Sequence, residues 1–165
     1  MSNRTTARST GPPAHLRSPR PINAVVRATR WRMKEIPYWI QRADFSATDY
    51  DPVEATDAVR AFATHDWRRE LDLYSELERA GAECCPPGIG FVDPSGDILH
   101  ICPSENGHAL VHYHFTARRK FLGLIPVARS LVETRRDVHR SVVSELISLF
   151  FQGQHDWMLA KLGAP

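Results

Sequence analysis

The sequence predicts an α+β domain with helices first, then a three- to four-stranded antiparallel β-meander over about residues 88–116, then a long and a short C-terminal helix packed on one face of the sheet. Two observations support this prediction. Strand-like alternation of apolar and polar residues is concentrated in 88–116, with tight-turn residues between the runs. Apolar residues spaced three and four apart, as on one side of a helix, lie before and after that stretch.

Residues 1–21 are predicted to form a disordered basic tail, and residues 22–165 a single α+β domain. The tail is rich in Ser, Thr, Arg, Pro and Gly and has almost no apolar side chains to bury. Positions 1–34 contain eight Arg and Lys residues and no acidic residue. Such a segment can bind nucleic-acid phosphates or serve as an organelle transit peptide, but a solvated tail explains the same composition.

The first helix is predicted over 22–35, where apolar side chains recur at roughly helical spacing before Pro37, although a strand fits the same stretch. This region is also aromatic, with Trp31, Tyr38, Trp39 and Phe45. Aromatic side chains beside arginine can stack on nucleobases, and they also commonly cover a small core.

The second helix is predicted to begin at Asp51, with Pro52 in its first position and Glu54 three residues after the cap, or alternatively at Thr56. It is predicted to end at Ala80-Gly81. Its apolar residues define two helical faces: one has Val59, Phe62 and Ala63, and the other, with spacings of three and four, has Trp67, Leu71, Tyr74 and Leu77.

The meander is predicted from three short runs separated by turn residues. Asp93-Pro94-Ser95-Gly96 has the residues of a tight turn, and a second turn is predicted over 103–107.

The register between the second and third strands decides which side chains share a face. A five-residue loop would pair Cys102 with His108 and bring the polar residues of both strands to one face. A four-residue loop would separate them. We favour the shared-face register because the apolar residues of both strands then share one core.

After the meander, Arg118-Arg119-Lys120 is predicted to be a basic turn, and 121–126 a fourth strand or a buried connector. A long helix is predicted over 128–151 and closed by Gly153, followed by a short helix over about 156–162. The tripeptide His-Asp-Trp occurs at 65–67 and at 155–157. Its two aspartates are predicted to be helix N-caps.

Composition limits the possible classes of protein. No apolar run is long enough to cross a membrane, and no apolar leader is present, so we expect a cytoplasmic protein with three free thiols. Arginine far outnumbers lysine, which is typical of a GC-rich bacterial genome.

Net charge is +2, but residues 35–105 contain fifteen acidic and five basic residues. This acidic centre makes a nucleic-acid partner unlikely except through the basic tail; it suits a protein partner of complementary charge, or self-association.

The candidate metal ligands are His100, Cys102, His112 and His114, since alternate residues of a strand project from one face. Imidazole and thiolate groups suit Zn²⁺, or another divalent transition metal such as iron or copper. The reserve ligands are His108, His139 and His155. The same histidines also fit a half-exposed sheet face with no metal. Cys102 with His100 or His112 as base could act as a nucleophile, but nothing in the sequence marks it as activated, and a buried structural thiol is far commoner.

The sequence contains no recognisable catalytic, dinucleotide or phosphate-binding motif. The function it favours is that of a small interaction or regulatory protein without catalytic activity, such as an adaptor or a toxin-neutralising partner. Such a protein would bind another protein through a charge-asymmetric surface. The alternative is a metal-binding protein or a metal-dependent hydrolase or oxygenase built on the four ligand candidates.

Overall fold

The computed structural model describes residues 34–121 and 125–163. The described chain contains six strands and four helices. In chain order these are β1 (Ile36–Gln41), β2 (Ala47–Val53), α1 (Ala55–Thr64), α2 (Trp67–Arg79), β3 (Gly88–Val92), β4 (Ile98–Pro103), β5 (His108–Phe121), β6 (Ile125–His139), α3 (Arg140–Phe151) and α4 (His155–Leu162). The strands form one antiparallel sheet in the order β2-β1-β3-β4-β5-β6. The predicted α+β class is therefore confirmed.

The hydrophobic core lies between one face of the sheet and the helices. Alternate residues of the central strands are fully buried, among them Ile89, Phe91, Leu99 and Ile101. Every helix contributes its buried side chains to the same cluster. We call this side of the sheet the core face. Because side chains alternate along a strand, the residues between these buried positions project from the opposite side, the open face.

The predicted meander is confirmed as β3, β4 and β5. Gly96 has the positive φ of 86° that its turn requires, and the Asp93 amide donates to the Asp97 carbonyl at 3.0 Å. The sheet is larger than predicted, however, because β1, β2 and β6 extend the meander on both sides. The prediction of three to four strands was therefore wrong.

The predicted helix-first order was also wrong, because two strands precede the first helix. The helix predicted over 22–35 lies outside the described residues, except for Lys34 and Glu35, which are not helical. The tail predicted over 1–21 lies outside them as well. Asp51 and Pro52 belong to β2 rather than to a helix N-terminus. Proline is compatible with β2 because this strand is at the edge of the sheet and needs no donor on its outer side.

The single helix predicted to end at Ala80-Gly81 is two helices. The first, α1, begins after Glu54, whose side chain makes no capping bond, and not after Asp51 or Thr56. The second, α2, is capped by Asp66, which accepts from the Arg69 amide at 3.2 Å, and it ends as predicted at Ala80. The second His-Asp-Trp is different, since Gln154 is the N-cap of α4 and Asp156 lies in its first turn.

The largest error concerns the region after the meander. Residues 118–120 continue β5 instead of forming a turn, and β6 occupies the first half of the helix predicted over 128–151. The helix itself is confined to α3, which ends before Gly153 with its φ of 66°. Leu131, Val132 and Glu133 fit a strand as well as a helix, and pairing with β5 decides between them. The two C-terminal helices pack on the core face as predicted, and α4 begins within a residue of its predicted start.

Candidate functional site

The open face carries a row of side chains that crosses the strands. Trp39 pairs with Gly90, Gly90 with His100, and His100 with His112, so these four residues occupy neighbouring positions on successive strands. The row continues to Asp49 on one edge strand and to Thr134 on the other. We call Trp39, His100 and His112 the ring row.

The three rings are nearly parallel. Trp39 and His100 have ring centroids 6.0 Å apart and an interplanar angle of 15°, and His100 and His112 have centroids 6.1 Å apart and an angle of 17°. His112 is also held by a 3.0 Å hydrogen bond between its Nδ1 and the Thr134 hydroxyl. The ring row is therefore an ordered surface feature, fixed from strand to strand by the sheet register.

Two glycines of β3 make this arrangement possible. A Cβ at Gly90 would overlap the indole of Trp39, which lies directly over this position. A Cβ at Gly88 would lie 2.6 Å from the Ile101 carbonyl oxygen and 2.9 Å from Nε2 of His100. The side chains of the neighbouring strands therefore lie over β3, which has no side chain of its own at either position.

Burial favours the neutral form of three ionisable groups on this face, His100, Cys102 and His112. Burial lowers the pKa of His100, with a smaller contribution from the neighbouring His112. Burial also lowers the pKa of His112, assisted by the nearby Arg136 guanidinium. Burial raises the pKa of the Cys102 thiol to about 11, so this thiol is protonated at neutral pH. These shifts make Cys102 a poor nucleophile and give the face an uncharged centre.

The four candidate metal ligands share the open face, as the favoured register predicts. His100 pairs with His112, and Cys102 pairs with Leu110 rather than with His108. Five residues still separate the paired Pro103 and Ala109, so the loop has the expected length but is displaced by one residue. Cys102 therefore lies opposite a residue two positions further along β5 than expected. A shift of two positions leaves every side chain on the same face, so the four candidates still share one face.

The four side chains do not all converge. The Cys102 thiol lies 3.8 Å from Nδ1 of His100, whereas Nε2 of His114 is 2.5 Å from the Ser130 hydroxyl. Within residues 34–121 and 125–163, no group of three or more His, Cys, Asp or Glu side chains could hold a metal ion. Zinc or another metal at this site remains a prediction.

The reserve histidines lie elsewhere. His108 and His139 pair across β5 and β6, with ring centroids 5.6 Å apart. His155 is on the core side, where its Nδ1 is 2.9 Å from the Tyr113 hydroxyl. All three cysteines are free thiols; Cys85 accepts a 2.8 Å hydrogen bond from the Gln41 amide.

Sequence reasoning missed the role of Trp39 because it treated 22–35 as a helix ended by Pro37 and did not extend the sheet to β1. A signal was present in Gly88-Ile89-Gly90. Glycines two apart in a strand leave one face without side chains, which indicates close approach by a neighbouring group. Their partner could not be identified from the sequence, because Trp39 lies about fifty residues earlier in the chain.

The two edge strands carry opposite charge. On β2, Asp49 and Asp51 are exposed and no basic residue is present. On β6 there are three arginines and two acidic residues, Glu133 and Asp137. The three arginines, Arg129, Arg135 and Arg136, are exposed.

Comparison with known proteins identifies no relative, since no family model, curated protein or solved structure matches the chain. In the part of the chain that the structure describes, every helix is too short or too polar to span a membrane.

Proposed function

We propose that the protein is a small interaction or regulatory protein without catalytic activity, and that it binds a protein partner through a charge-asymmetric surface. The observation that supports this proposal is the strand order. It puts the acidic strand β2 at one edge of the sheet and β6, with its three exposed arginines, at the other, five strand spacings away.

An edge strand is a natural binding element, because its outer backbone N–H and C=O groups have no partner within the sheet and can pair with another chain. The strand β6 is the longer edge, with 15 residues against seven in β2. Its exposed arginines would attract an acidic partner and orient it during the encounter. The short β2 edge is interrupted by Pro52, whereas β6 continues for thirteen residues, 127–139, after its own Pro126. We therefore assign the partner to the β6 edge.

The test is affinity capture with the full-length protein from an extract of the cells that produce it, followed by quantitative mass spectrometry. The variant Arg129→Glu/Arg135→Glu reverses the charge of the β6 edge. Its matched control, Arg68→Glu/Arg79→Glu, makes the same change of charge on exposed positions of α2.

We expect a specific partner to be retained by the wild type and by the α2 control, and lost from the β6 variant. Retention should also weaken as salt rises, because surface charges are screened over about 10 Å at 0.1 M salt. Equal retention by all three proteins would show that the edge charge is not the binding determinant. Failure to retain any specific partner would refute the proposal.

A further inference from the structure

A separate surface, the open face itself, leads to a second conclusion that does not depend on a partner bound at the β6 edge. We propose that two copies of this chain pack their open faces together, sheet against sheet, to form a symmetric dimer. Three features support it: the uncharged centre of the face, the opposite charges at its two ends, and the match between the ring row and its own rotated copy.

The centre of the open face is uncharged. On β1, β3, β4 and β5, the open-face positions from Pro37 to His114 include no Asp, Glu, Lys or Arg, although such residues make up 24% of the chain. Apolar side chains are frequent there, and Val132 on the neighbouring β6 is 56% exposed. A neutral, partly apolar sheet face of this kind is stabilised when a second layer covers it.

The ends of the face identify that second layer as another copy. Asp49 lies at the β2 end and Arg136 at the β6 end, where it is close enough to influence His112. Consider a two-fold axis that lies between the two sheets and runs parallel to their strands. It reverses the strand order of the second copy relative to the first. The β2 end of each copy then lies opposite the β6 end of the other. At both ends of the interface, Asp49 of one copy therefore lies near Arg136 of the other.

The same axis fits the centre of the face. It sets β1 opposite β5 and β3 opposite β4, and therefore brings Trp39 over His112 of the second copy and His100 over Gly90. Since the Trp39 indole covers Gly90, His100 of the second copy would meet this indole there. Two sheets packed in this way are about 10 Å apart with their strands nearly aligned, which is the usual geometry of a β-sandwich.

The size of the face predicts a reversible dimer. Five strand spacings of about 4.8 Å and strands of about six residues give a flat area of roughly 24 by 20 Å. This is below the accessible area of about 800 Å² that each partner buries in a typical stable interface. We therefore expect the dimer to dissociate on dilution.

The test is sedimentation velocity of the full-length protein over a wide range of concentration. Asp49→Arg and Arg136→Asp should each weaken dimerisation by about tenfold or more, since each places like charges opposite one another. The double variant Asp49→Arg/Arg136→Asp should restore the wild-type dissociation constant. Asp49 and Arg136 are at opposite edges of one sheet, so this rescue can only arise between copies.

Asp72→Arg, an equivalent change on exposed α2, is the matched control and should leave dimerisation unchanged. A wild-type monomer at every soluble concentration would overturn the proposal, as would occupation of the face by residues 1–33 or by a different protein. A dimer that resists both single variants and also Val132→Asp would overturn it as well, because it would use another surface. The edge variants Arg129→Glu/Arg135→Glu test the proposed function independently, since neither residue lies on the open face.

Discussion

Gly90 shows how a single residue determines the surface of this sheet. It has no Cβ, so the indole of Trp39 can lie over β3 and reach the ring of His100. Any side chain at this position would have to displace the indole. The order of the ring row therefore depends on a residue that contributes no side chain to it.

We predict that Gly90→Ala destabilises the protein through this overlap, by about 1–3 kcal/mol, which is typical of overpacking. The same substitution should cost much less in a Trp39→Ala background, where the indole is absent. Urea unfolding of the four proteins in this double-mutant cycle measures the coupling free energy between the two sites. A coupling energy near zero would mean that the destabilisation comes from the backbone of β3 and not from the indole.

The two histidines of the ring row make stability depend on pH. Burial lowers the pKa of each in the folded protein, so the unfolded chain binds protons more readily at pH values below about 6.5. Unfolding then takes up protons, and stability falls as the pH falls. The contribution is fully present above the unfolded pKa of about 6.5 and is lost progressively on acidification towards the folded pKa values.

We therefore expect the free energy of unfolding to decrease between pH 7.5 and pH 5, an interval set by the ordinary histidine pKa of about 6.5. His100→Gln/His112→Gln should reduce this dependence, because glutamine does not titrate. Urea unfolding at both pH values compares the slopes. Asp93 should not contribute in this interval: burial raises the pKa of its carboxyl, but hydrogen bonds from Lys34 and Ser95 outweigh this effect and hold the pKa below the usual value. An unchanged slope in the double variant would assign the pH dependence to other groups.

At the scale of the element, the two helices between β2 and β3 begin in different ways. Asp66 caps α2 with its side chain, whereas Glu54 precedes α1 without a capping bond. Asp66→Ala should therefore cost about 1 kcal/mol of stability, and Glu54→Ala much less. Denaturant unfolding of the two variants provides a matched comparison. Equal losses would show that the Asp66 side chain does not stabilise α2 through its cap.

The elements also show what could be read from the sequence. Local signals were sufficient for the turn at Asp93–Gly96 and for the alternation that brings His100 and His112 to one face. They were insufficient for β6, because the spacing of its apolar residues is compatible with a helix and only pairing with β5 makes it a strand. The partnership of Trp39 with Gly90 was inaccessible for the same reason, since it depends on a contact between distant parts of the chain.

For the whole molecule, the important property is that the described sheet has one buried face. All four helices share a single hydrophobic cluster with the core face, and Phe91 of the central strand β3 contacts Phe151 of α3 edge-to-face, with ring centroids 5.6 Å apart. Because the helices are joined to this one cluster, a defect at its centre should weaken the entire fold. The side chains of the open face lie outside this cluster.

Phe91 and Trp157 test this division between core and surface. Phe91 is fully buried, whereas Trp157 on α4 is 63% exposed. We predict that Phe91→Ala costs about 3–5 kcal/mol of stability through loss of burial and the cavity that remains. Trp157→Ala should change stability by less than about 0.5 kcal/mol, as is usual for surface substitutions. Thermal and urea unfolding of both variants measure the difference. A large loss at Trp157 would show that its exposed ring is covered in solution, and a small loss at Phe91 would contradict a single core shared by sheet and helices.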